Sequence, residues 1–167
     1  LTGWKAICGA RVICLNGPDG STPLRAIWKI AVSPNHVDNF SLGKYGNLLA
    51  DINPATGAIS RVLGGLWPET NLMAEHPVSG VSFKNFHLPD WPEVLDACKA
   101  IGELIPLMRL QHIDFAFTDE GPKILEINDI GGTEIAQLHG HGLLTERMRG
   151  FLKEYGNRTS YPWIDAI

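Results

Sequence analysis

Hydrophobic and polar positions alternate through much of the first sixty residues, the period of a strand with one face in a core. Arg11 to Leu15 is the first such run. The turn cluster Asn16-Gly17-Pro18-Asp19-Gly20 predicts its return as Leu24 to Val32. A loop from Ser33 to Asn47 leads to a second hairpin, Leu48 to Ile52 and Ala58 to Leu63, turned by Asn53-Pro54-Ala55-Thr56-Gly57. Residues 64 to 90 carry no period and read as loop. The spacing then becomes helical: Val94, Cys98, Ile101 and Ile105, flanked by Leu95 and Leu104, make an apolar stripe. Asp90 is placed to cap this helix, with Pro92 in its first turn, Glu93 at the third position and Pro106 as its stop. A third hairpin spans 111 to 128. Gly131-Gly132-Thr133 opens a helical segment through Leu138. After His139-Gly140-His141-Gly142, a last helix runs roughly from Leu143 to Tyr155. Strands, helix, strands, helix is the order of an α+β layer architecture.

The third hairpin holds the most chemistry. Two alternating runs, His112 to Thr118 and Pro122 to Asn128, are joined by Asp119-Glu120-Gly121, a loop ending in the residue that takes a left-handed conformation cheaply. Pairing Thr118 with Pro122 sets Phe115 opposite Leu125 and Ile113 opposite Ile127 on one face. The other face then sets Asp114 opposite Glu126 and His112 opposite Asn128. Two carboxylates at the ~5 Å of a cross-strand pair repel. A shared proton, a basic neighbour or a divalent cation must offset this. Asn128 adds an amide oxygen on the same face, and three hard oxygen donors suit Mg²⁺ or Mn²⁺ better than zinc. Mg²⁺ held by few protein oxygens completes its shell with water and substrate phosphates, which points to nucleotide chemistry. The bland alternative is a hydrated, solvent-facing carboxylate pair.

Length and composition narrow the class. A chain of 167 residues with 44% hydrophobic and 19% charged residues has the makeup of one globular domain and not of a disordered chain. Fourteen basic against eighteen acidic residues give a net charge of −4, so no general pull toward nucleic acid exists. No apolar run approaches the ~20 residues of a membrane span. Three cysteines, Cys8, Cys14 and Cys98, without a CxxC pair read as reduced thiols, and this predicts a cytoplasmic protein. The chain opens at Leu1-Thr2-Gly3-Trp4 with no basic leader, and reads as a piece of something longer.

On these residues the sequence resembles the C-terminal part of an ATP-grasp ligase. Ile113-Asp114-Phe115-Ala116 is similar to that superfamily's "D-[IV]-A" strand, Thr118-Asp119-Glu120-Gly121-Pro122 to its "TPDGP" turn, and Leu125-Glu126-Ile127-Asn128 to its "LE-x-N" strand. Further back, Arg11 to Leu15, Asp38-Asn39-Phe40, Asp51-Ile52 with Thr56-Gly57, His76 to Val81 and Leu88 to Trp91 follow in order. That series resembles the sugar-transfer-associated, α-L-glutamate-ligase-related branch, from about Arg11 to Leu144. The resemblance implies the C-terminal lobe of an ATP-grasp (glutathione synthetase ATP-binding-like) fold, an antiparallel sheet packed with helices. The N-terminal lobe that clamps ATP would lie outside residues 1–167.

The resemblance also implies a reaction and its participants. ATP phosphorylates a small-molecule or peptide carboxylate, and the acyl phosphate is captured by an amine or another nucleophile. Asp114, Glu126 and Asn128 are then the ligands of Mg²⁺ or Mn²⁺, and Arg11 and Lys29 the catalytic cations that stabilise phosphate charge. Asn39, Gly43 and Lys44 match the "DNF…GG" loop that approaches the phosphates. Lys29 stands where relatives often carry arginine and offers a point charge in place of a fork. Lys44 replaces the second glycine of its loop. These two substitutions motivate an alternative, a catalytically degenerate ATP-grasp-like binding module. A metal-dependent phosphoesterase built on the same carboxylates ranks behind both.

Other residues carry less. His139 and His141 lack cysteine or acidic ligands at metal spacing and read as the flanks of a bend. His76 and His87 lie in the long loop, within possible reach of an acceptor. Trp67, Trp91 and Trp163 read as packing anchors, and Cys98 as a small buried apolar residue.

Overall fold

The computed structural model describes residues 6–156; Trp163 lies outside them. Seven strands form one antiparallel sheet: β1 (Ala10–Gly17), β2 (Gly20–Ile30), β3 (Leu48–Ile52), β4 (Ile59–Gly64), β5 (Asn71–Leu72), β6 (Leu110–Thr118) and β7 (Gly121–Asn128). Their spatial order is β5-β4-β3-β2-β1-β6-β7. The first strand therefore lies beside the last hairpin: Arg11 on β1 pairs with Asp114 on β6, which pairs with Glu126 on β7.

Helix α1 (Trp91–Leu104) covers one face of the sheet. Its stripe works as the spacing predicts at Val94, Cys98 and Ile101, which pack on Val12, Cys14, Ala26 and Trp28. Leu104 is the exception and faces solvent. Asp90 begins the helix but does not cap it with its side chain. Its backbone is left-handed (φ 51°, ψ 32°), and its carbonyl receives the amides of Glu93 and Val94 instead. Trp91 anchors the helix start, its indole N–H donating to the Pro54 carbonyl at 3.1 Å. Trp67, by contrast, is 43% exposed.

The opposite face carries a smaller core of Ile13, Ile27, Phe40, Leu49, Ala136 and Leu143. Helix α2 (Glu146–Tyr155) adds to that side, begun by Thr145, whose hydroxyl accepts from the Met148 amide. The helical segment predicted through Leu138 is only a 3₁₀ turn at Ile135–Gln137. Within 64–90, taken as loop, the short edge strand β5 pairs with β4, and Ala58 bridges His87.

The third hairpin departs from expectation in one instructive way. Its turn is two residues, because Thr118 pairs with Gly121, and Phe115 faces Ile124 instead of Leu125. An irregularity between Asp114 and Phe115 leaves Leu125 as an extra, exposed residue and restores the predicted pairing beyond it. Asp114 thus faces Glu126, and His112 faces Asn128.

Candidate functional site

The site lies on the sheet face away from α1. Arg11 and Asp114 are cross-strand partners, and Lys29 reaches over from β2. Arg11 grips Asp114 with two bonds: Nε donates to Oδ1 at 2.6 Å and Nη2 to Oδ2 at 2.8 Å. Lys29 Nζ donates to the same Oδ2 at 3.0 Å. A basic neighbour, one of the ways to relieve facing carboxylates, is thus supplied by Arg11 and Lys29. Arg11 also reaches Glu126, Nη2 lying 3.3 Å from Oε1.

Burial sharpens these charges. Asp114 is 2% exposed, and that burial works to raise its pKa. The hydrogen bonds from Arg11 and the charge of Lys29 outweigh it, and the carboxyl stays below its ordinary range. Hydrogen bonding to Asp114 correspondingly raises the pKa of Arg11. Asp38, from the Asp38-Asn39-Phe40 stretch, extends the network. It accepts from the Gly9 amide at 2.6 Å and lies 3.8 Å from Lys29 Nζ. Burial raises its pKa, with Lys29 acting in the other direction.

A cleft of about 300 Å³ opens beside this network, lined by Arg11, Lys29, Asn39, Ser41, Gly132 and Glu134 among others. It brings together three of the residues singled out from sequence, Arg11, Lys29 and Asn39. It does not include the other two members of the loop. Gly43 (φ 86°) packs backbone to backbone, since a Cβ there would stand 1.8 Å from the Gly65 carbonyl oxygen. Its glycine serves the close approach of residues 65 and 66, not a ligand. Lys44 is exposed, with its ammonium over the Tyr45 ring. Reading along the chain missed Asp38 as a partner of Lys29, and Glu134 as a wall of the cleft. Asp38 stands in the Asp38-Asn39-Phe40 motif, but its contact with Lys29, like the place of Glu134 in the wall, arises only by tertiary packing.

The donor set can be weighed against a hard divalent cation. Both oxygens of Asp114 are taken by Arg11 and Lys29. Glu126 has a side chain 54% exposed, and only its Oε1 is engaged among the described residues. The Asn128 side chain makes no hydrogen bond among them and lies two positions along the same strand. A carboxylate and an amide oxygen in that relation fit Mg²⁺ or Mn²⁺, which takes one or two protein oxygens alongside phosphates. Among the described residues no three His, Cys, Asp or Glu side chains gather around a common point.

The remaining histidines stand apart from this cleft. His139 is 2% exposed, and burial, with Arg61, His141 and Arg25 nearby, pushes its pKa down to about 4 despite Asp51. Its carbonyl accepts from Arg61 at 2.8 Å. His76 is buried as the acceptor of the Ser79 amide, and His87 is exposed beside the Asn85 carbonyl; neither lines the cleft.

The sequence model of the sugar-transfer associated ATP-grasp family matches residues 5–152. No curated protein and no solved structure matches the chain.

Proposed function

Since the chain belongs to the sugar-transfer associated ATP-grasp family, we propose that it is the metal-bearing C-terminal lobe of a carboxylate–amine, or carboxylate–nucleophile, ligase that works through an acyl phosphate. One observation carries the reading: two cations, Arg11 and Lys29, line a cleft, and Arg11 also reaches the exposed carboxylate of Glu126, with the half-buried Asn128 two positions along the same strand. Phosphate chemistry needs cationic side chains for the transferring group and hard oxygens for its counter-ion.

In this reading, Arg11 and Lys29 hold phosphate oxygens of ATP and take up charge as the γ-phosphoryl moves. A substrate carboxylate oxygen forms the new bond to phosphorus and ADP leaves; an incoming amine or other nucleophile then attacks the carbonyl carbon of the acyl phosphate, and inorganic phosphate leaves. Glu126 and Asn128 hold Mg²⁺ or Mn²⁺, with Asp114 close by. The ion, when bound, neutralises phosphate charge and helps align the in-line transfer. Asp114 positions both cations; for it to ligate the ion as well, Lys29 must turn to the phosphates and free Oδ2. Asn39, at the cleft edge, is the loop residue that contacts the nucleotide. The adenine-clamping lobe lies outside this chain, whose own span is one lobe of a larger ligase acting in the cytoplasm.

The tight hold of two cations on Asp114 favours one other reading, a degenerate module that binds without catalysis. Titration calorimetry with a non-hydrolysable ATP analogue separates them. The account expects wild-type binding to strengthen at least tenfold on adding Mg²⁺, and Glu126→Gln to lose that gain. Equal affinity with and without Mg²⁺ in both proteins would overturn the ligase reading.

A further inference from the structure

A second cleft, of about 380 Å³, lies behind the first, between the Asp129–Thr133 segment and α2. The segment acts as a partition. Gly132, Glu134 and Ile135 face the cationic cleft, whereas Gly131, Thr133 and Gln137 face this one. Its walls are aliphatic, from Leu110, Ile130, Leu143, Leu144, Met148 and Leu152. Ile130 is 89% exposed and Leu144 40%, so apolar surface is left open at the mouth.

One polar ring lines this apolar space. His112 is fully buried, and among the described residues neither of its ring nitrogens has a partner. In its neutral form an imidazole offers one donor and one acceptor nitrogen. A buried polar group without a partner is costly, and a ligand that supplies one gains what the protein lacks. Gly131 lies flat on the ring: a Cβ there would stand 2.4 Å from Cγ and Nδ1. Gly131 thus packs against the Cγ–Nδ1 side of the ring, and Nε2 is the ring nitrogen remote from it. Asp129 also lines the cleft, and its negative charge opposes an anionic head.

We propose that this cleft binds an aliphatic molecule bearing a single hydroxyl head, with the chain among Leu143, Leu144, Met148 and Leu152 and the hydroxyl on His112. A cavity of about 150 Å³ holds benzene, so this space has room for a chain of about eight carbons. A hydroxyl both donates and accepts, so it can partner either kind of ring nitrogen, and it does not meet repulsion from Asp129. The site is separate from the nucleotide reading and stands or falls without it, because its test uses neither ATP nor metal.

The test is a titration of the full 167-residue chain with 1-octanol and, in parallel, octanoate, followed by NMR at the Met148 methyl and the His112 ring. Octanol is expected to shift both signals, octanoate to bind about tenfold more weakly or worse, and His112→Phe to weaken octanol about tenfold. Leu144→Glu, at the exposed lip, leaves His112 in place and is expected to abolish the response, which keeps the test decisive if the histidine variant does not fold. No shift at Met148, octanoate binding as tightly as octanol, or an undiminished response in either folded variant would overturn the proposal.

Discussion

Arg11 and Lys29 bring two positive charges onto one carboxylate whose side chain is only 3% exposed. In water each pair contributes little, but a buried pair stripped of one member leaves a charge with neither solvent nor partner. Asp114→Asn keeps the shape and deletes the charge, stranding both cations. The variant is expected to lose on the order of 3 kcal/mol of folding stability, read by urea denaturation; an unchanged midpoint would refute the network's weight. Asp114 is therefore a poor position for separating catalysis from folding, and the half-exposed Glu126 a better one. The facing of Asp114 with Glu126 agrees with the register read along the chain, because the shorter turn and the bulge at Leu125 offset each other. The grip of Arg11 and Lys29 on Asp114 was not legible there, because it depends on β1 lying beside β6 across about a hundred residues of sequence.

Helix α1 illustrates what local pattern can and cannot say about an element. Its buried stripe follows from spacing, and its stop follows from Pro106. How closely it approaches the sheet does not. Gly102 lies against the β1–β2 hairpin, where a Cβ would stand 2.4 Å from Ser21 Cβ and 2.9 Å from Asn16 Oδ1. Asn16, itself buried, donates to the Gly102 carbonyl at 3.1 Å and ties the helix end to the turn. Alanine at 102 gains about 1 kcal/mol in helix propensity. It also overpacks a rigid contact, which costs about 1–3 kcal/mol, and it disturbs the Asn16 bond. Gly102→Ala is thus expected to destabilise the protein in thermal or urea unfolding, and a rise in stability would show the contact to be soft. The extra residue in β7 shows the same limit. A glycine-ended loop suggested three residues, yet a two-residue turn followed by a bulge at Leu125 gives the same pairing at Asp114–Glu126. The site's register survived the wrong turn because two one-residue errors cancel.

At the scale of the whole molecule, the sheet divides the labour between its faces. One face is closed by α1 over an apolar core, and the other carries two clefts separated by the 129–137 segment. The α+β class and most strand positions follow from periodicity, whereas this partition arises from tertiary packing that glycine pairs only hint at. Among the described residues no helix is long and apolar enough to cross a membrane. The central claim is that phosphates and a divalent ion meet where Arg11, Lys29, Glu126 and Asn128 converge. Mn²⁺ in place of Mg²⁺ makes that place visible, because its paramagnetism broadens nearby NMR signals. With ATP present, the account predicts broadening centred on Glu126 and Asn128, extending to Arg11 and Asp114 and sparing α1. Broadening centred anywhere else, or an even loss of signal across the sheet, would contradict it.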